Sequence, residues 1–149
     1  MNAYAKQYQN NHILSASPEQ ILIMLYDGAI RFTRQGILGI EENRPSLKLE
    51  GISRALAIIA EFSNTLDREV GGEIADNLDA LYHFMMRELT DARSENSVAR
   101  LRVVEALLLD LRATWAEAIE INRKASHPGV AVSLPTGNED SRPRLAVSM

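Results

Sequence analysis

Apolar residues recur at spacings of three and four through four long stretches of this chain, and no comparable stretch alternates with period two. That pattern restricts the fold to helices packed on helices, because a 3.6-residue turn brings such positions onto one face. Over residues 18 to about 42, Leu22, Leu25, Tyr26, Ala29, Thr33, Ile37 and Ile40 project to one broad side. A second stretch, to about residue 66, aligns Ile52, Ala55, Leu56, Ile59, Phe62 and Leu66. Residues 73 to about 93 align Ile74, Leu78, Leu81, Tyr82, Met85 and Leu89. The fourth, from near Ser97 to about residue 124, aligns Leu101, Val104, Leu107, Leu108, Leu111, Trp115, Ala118 and Ile119.

The punctuation between these stretches agrees with them. Ser17, Pro18 and Gln20 form a helix-start signal, a Ser-x-x-Gln capping box with proline in the first turn. Asn43-Arg44-Pro45 closes the first helix, Ser46 is placed to cap the second, and Gly71-Gly72 breaks the chain before the third. Connections this short make successive helices antiparallel neighbours. The expected architecture is an all-α, antiparallel up-down four-helix bundle over residues 17–124. Residues 1–16 form an N-terminal mobile arm in this reading. Residues 125–149, interrupted by Pro128, Gly129, Pro135, Gly137 and Pro143, form a disordered C-terminal tail. The one apolar run in that tail, residues 130–134, is a candidate for docking on the bundle.

Composition excludes several function classes. The 16 basic and 20 acidic residues are scattered and sum to a net charge of −4, so no basic stripe suits nucleic acid. With no cysteine, disulfides and thiol-based metal or catalytic sites are absent. No apolar run approaches the ~18 residues of a membrane span, and the N-terminal residues lack a signal-peptide core. A cytoplasmic protein without stable membrane insertion is expected. Asp79 and His83, four apart, are the only pair with metal-ligand spacing worth weighing, and a solvated surface histidine is the better reading. Neither a phosphate loop nor a nucleophile elbow is present, so the chain reads as a non-enzyme that needs no cofactor or metal.

Apolar residues outside the stripes direct attention to a partner. Met24 and Leu38 project to the far side of the first helix, Ile58 lies about a quarter-turn off the stripe of the second, and Phe84 on the third and Val103 and Leu109 on the fourth stand well off theirs. Together they favour grooves that bind another polypeptide. Met85 and Met86 join Met24 as candidates for an adaptable apolar surface. The N-terminal segment contributes Tyr4, Tyr8, Ile13 and Leu14, either as a frayed terminus or as an arm that covers a groove or docks on a partner.

Several separated blocks resemble one family, the flagellar export chaperones of the FliS type. The blocks are Ala3-Tyr4-Ala5 ahead of Ser15-Ala16-Ser17-Pro18, then Met24-Leu25-Tyr26-Asp27-Gly28-Ala29. Gly71-Gly72-Glu73-Ile74-Ala75, Asn77-Leu78, and Leu81-Tyr82-x-Phe84-Met85 follow. Val104-Glu105-x-Leu107-Leu108, Leu111-Arg112 and Trp115 complete them, so the resemblance covers about residues 3–120. It implies a four-helix bundle that binds the disordered C-terminal region of flagellin and prevents its premature polymerisation. It further implies that the N-terminal segment occupies part of a groove until the client displaces it, and that Tyr4 docks on a flagellar export gate component. Some relatives carry an aliphatic residue three before that tyrosine; here the place is Met1. A weak homodimer is compatible with the same apolar surface. The alternative reading is a general helical adaptor that binds a regulatory protein of the flagellar system through these grooves.

Overall fold

A computed structural model describes residues 16–125. The expected arm and tail, apart from their innermost residues, lie outside the described residues. The chain between them forms α1 (Pro18–Glu41), α2 (Pro45–Asn64), α3 (Arg68–Glu95) and α4 (Val98–Ala125). Helix α1 packs against α2 and α4, and α3 packs against the same two, which closes a four-helix bundle. Cross-helix ion pairs fix the direction of α4 relative to α1: Asp27 meets Arg112, and seven residues on Arg34 meets Glu105, seven residues back. The all-α bundle read from periodicity is the observed fold.

Helix α1 starts as its sequence dictates. Ser17 Oγ accepts from the Gln20 N–H at 3.1 Å, and Gln20 Oε1 accepts from the Ser17 N–H at 2.9 Å. Its end is closed by Asn43, which adopts φ 53°. The Arg44 N–H then reaches Gly39 O at 2.8 Å and the Asn43 N–H reaches Ile40 O at 3.2 Å, which satisfies carbonyls the helix leaves open. Asparagine tolerates this left-handed turn better than other residues with a Cβ. Asn96 does the same after α3, at φ 52°. Lys48 Nζ, on α2, donates to Asn96 Oδ1 at 2.7 Å and pins that turn to its neighbour.

Two expected boundaries are corrected. Ser46 is not a cap: Pro45 is already the first residue of α2, and Arg44 precedes it without a side-chain cap. The tight exit from α1 leads directly into proline, whose fixed φ suits a first helical position. Nor does the third helix wait for Glu73. Asp67 accepts from the Val70 N–H at 3.0 Å and starts α3 at Arg68. Gly72, at φ 55° and ψ −125°, then kinks the helix in a conformation reserved for glycine.

The core runs the length of the bundle and includes Leu22, Tyr26, Ile37, Ile52, Ile59, Phe62, Leu78, Tyr82, Leu101 and Leu108. Its centre draws one aromatic ring from each helix. Tyr26 stacks on Phe62 with centroids 4.4 Å apart, and Phe62 meets Tyr82 at 5.5 Å. The Trp115 indole N–H donates to Tyr26 Oη at 3.2 Å, and the two tyrosine hydroxyls lie 2.8 Å apart. Ile74 is a further correction, being 46% exposed while Ala75 is fully buried. The inward positions of α3 follow Ala75, Leu78, Tyr82, Met85 and Leu89 in an unbroken three-four alternation, which leaves Ile74 off the face.

Candidate functional site

Partner-binding apolar groups must be accessible on a bundle that is complete without them. Leu38, Val103 and Leu109 meet that condition, at 43%, 42% and 41% exposure. Met24 is half-buried, and Ile58, Phe84 and Met86 are part-buried against the core. Met85 is fully buried. It belongs to the α3 core face and presents no surface to a partner in this state. Tyr4, Tyr8, Ile13 and Leu14 lie outside the described residues.

Helix spacing and the cross-helix contacts place these residues around the bundle. Met24 precedes Asp27 by three and Leu38 follows Arg34 by four, so both share the flank of α1 that meets α4. Leu109 stands four after Glu105 and three before Arg112, on the matching flank of α4. Ile58 approaches Gly28 across α1 and α2, since its Cδ1 lies 3.4 Å from where a Cβ on Gly28 would stand. Phe84 is one turn from Glu88, which binds Arg100 of α4 at 3.0 Å, and Val103 is one turn beyond Arg100. Both therefore border α3 and α4. Met86 continues the Asp79–His83 flank toward α2. No single face gathers the candidates; three lie along the α1–α4 seam and the others on the remaining seams.

The α1–α4 seam carries an apolar groove. At the open end of the bundle, Ala16, Gln20, Ile23, Met24, Ala116 and Ile119 line a groove of about 330 Å³, with Glu19 also at its edge. Ile23 and Ile119 were not among the sequence candidates, because a helical projection treats a terminal turn as if it still had neighbours. The same holds for Val70 and Ile121, 50% and 58% exposed near helix ends, and for Leu49 in the early turns of α2.

Ion pairs clasp the seam beyond the groove. Arg112 grips both carboxylate oxygens of Asp27, at 2.5 and 3.3 Å. Glu105 accepts from Arg34 at 2.6 Å and Arg102 at 3.1 Å. Those arginines, Arg34 foremost, hold its carboxyl below the usual range against an opposing desolvation. Such pairs at the surface are worth about 0–1 kcal/mol each, so they set register and polarity more than stability.

Asp79 and His83 form a structural cluster. Asp79 accepts from Ser63 Oγ at 2.5 Å and from Arg68 at 2.7 Å, tying the first turn of α3 to the end of α2. His83 Nδ1 lies 2.9 Å from the Asp79 carbonyl, and its side chain is 53% exposed. Among the described residues, no three His, Cys, Asp or Glu side chains gather as a metal site. Nor is any described helix long and apolar enough to cross a membrane.

Comparison with known proteins adds an independent line. Residues 1–122 match the family model described as Flagellar protein FliS. The chain is 37% identical over 127 residues to the flagellar secretion chaperone FliS of Salmonella typhimurium, covering 85% of this chain and 92% of that protein. It is 34% identical over 120 residues to the flagellar secretion chaperone FliS of Bacillus subtilis, covering 80% and 89% respectively. The flagellar secretion chaperone FliSB of Pseudomonas aeruginosa is 33% identical over 114 residues.

Proposed function

Because the chain belongs to the FliS family, whose relatives named above are flagellar secretion chaperones, we propose that it binds the disordered C-terminal region of flagellin in the cytoplasm. In this reading it keeps the client from polymerising early, delivers it to a flagellar export gate component, and performs no catalysis. The observation that carries the proposal is the distribution of accessible apolar side chains over every seam of a bundle whose core is already filled. A partner that touches Met24, Leu38, Ile58, Phe84, Met86, Val103 and Leu109 has to pass around the molecule. A disordered segment does that, and gains helical structure as its apolar side chains enter the grooves.

The physical logic is one of mutual cover. A segment that forms coiled helices in a filament exposes apolar faces before assembly, and burying them on the chaperone removes the drive to self-associate. Tyr4 is assigned to the gate by its place in the family pattern, with Tyr8, Ile13 and Leu14 as the rest of the interacting arm. Calorimetric titration with a peptide from the C-terminal region of the organism's flagellin is expected to give a one-to-one complex. A negative change in heat capacity should accompany it, as apolar burial requires. Absence of binding by the folded protein would overturn the proposal.

A further inference from the structure

The apolar groove at the open end of the α1–α4 seam matches a segment of the same chain, and we propose that residues 130–134 fold back into it. Antiparallel register supplies the first reason. Asp27 opposes Arg112 and Arg34 opposes Glu105, so each step up α1 corresponds to one step down α4. Extending that register puts Arg123 opposite the groove entrance at Ala16, and Ala125, the last residue of α4, about 3 Å beyond it. Ile119 and Ala116 then lie about 9 and 14 Å back along α4 at 1.5 Å per residue.

Chain chemistry beyond Ala125 supplies the second reason. Pro128-Gly129 is a turn-favouring dipeptide by sequence, since proline and glycine are the residues preferred at the two central positions of a type II turn. Five residues from Ala125 to Val130 reach at most about 17 Å, enough to return to the groove. The next five, Val130-Ala131-Val132-Ser133-Leu134, are uncharged and end at Pro135. In an extended conformation they span about 13 Å and set Val130, Val132 and Leu134 on one side. The α1 wall from Ala16 to Met24 is about 12 Å long at helical rise, so length matches length.

Three aliphatic side chains then cover Ile23, Met24, Ala116 and Ile119. The groove is open, so the peptide groups of the docked segment keep water on their outer side. Docking also makes the tail a competitor for any client that uses Met24; that consequence alone rests on the flagellin-chaperone reading.

Since the chain has no cysteine, Ser133→Cys creates a unique attachment point for a nitroxide. It alternates away from the three aliphatic side chains. In the labelled full-length protein, the methyl resonances of Ile23, Met24 and Ile119 should broaden, while those of Leu38 and Val103 stay sharp. Adding Val130→Asp, Val132→Asp and Leu134→Asp should abolish the broadening without touching a bundle residue. Sharp groove signals in the labelled parent, or broadening that survives the three aspartates, would overturn the proposal. So would broadening that grows with protein concentration, which would assign the groove to a second copy. Finally, a flagellin peptide should bind the triple-aspartate chain more tightly than the parent. Equal binding would remove the competition but leave the client reading intact, whereas no binding to either would sink the client reading alone.

Discussion

Tyr26 and Tyr82 carry the sharpest consequence at the scale of single residues. Both hydroxyls are buried, and burial pushes both pKa values up. An unfolded tyrosine ionises near pH 10. Above that pH the unfolded chain releases protons that the folded chain retains, so stability is full below about pH 10 and falls as pH rises further. The expected slope approaches about 1.4 kcal/mol per pH unit for each tyrosine. Denaturant midpoints measured between pH 9 and pH 11.5 check it, and Tyr82→Phe should lower the slope. Trp115, 4% exposed and donating to Tyr26 Oη, closes the same cluster. Trp115→Ala should cost about 3–5 kcal/mol, read as a lowered denaturant midpoint.

Pairs of elements are not joined alike, and the α1–α2 contact is the tightest. A Cβ on Gly51 would lie 2.6 Å from Phe32 O and 2.7 Å from Gly36 N, and one on Gly39 would collide with the backbone of Lys48. These neighbours are main chain and cannot swing aside. Gly51→Ala should therefore force α1 and α2 apart and destabilise the protein by about 1–3 kcal/mol, measured by thermal or denaturant unfolding. Helix existence and the inward stripes were legible in the sequence because a 3.6-residue period is a local signal. Ser46 and Ile74 differ from the sequence expectation because each depends on a neighbour in space, whereas the Gly71-Gly72 break stands and only the turn before it is added. Ser46 lost its capping place to the Asn43 turn, Ile74 lost the core to Ala75, and the Asp67 cap adds a helical turn ahead of the break that Gly72 makes. The candidate surface was legible for Leu38, Val103 and Leu109, which project well clear of their stripes. Met85 sits near the middle of its stripe, so polarizable side-chain chemistry could not make it a surface residue. Val70 and Ile121 escaped because exposure near helix ends comes from missing neighbours, which no periodicity records.

Viewed whole, the molecule separates what keeps it folded from what it offers outward. Leu38 and Leu109 are outside the core, so Leu38→Ser with Leu109→Ser should shift stability by no more than about 0.5 kcal/mol per site. The same pair should weaken binding of the flagellin peptide several-fold in a calorimetric titration; unchanged affinity would remove the α1–α4 seam from the client path. One feature of the interior makes that division optically visible. The chain has a single tryptophan, and its ring is enclosed at the meeting point of all four helices. Its fluorescence is therefore a gauge of the interior: a client laid along the outer seams leaves the emission maximum in place. Loosening of the bundle lets water reach the indole and moves the emission to longer wavelength. Capture without remodelling and capture by partial opening of the chaperone can thus be told apart in one cuvette, with no label added.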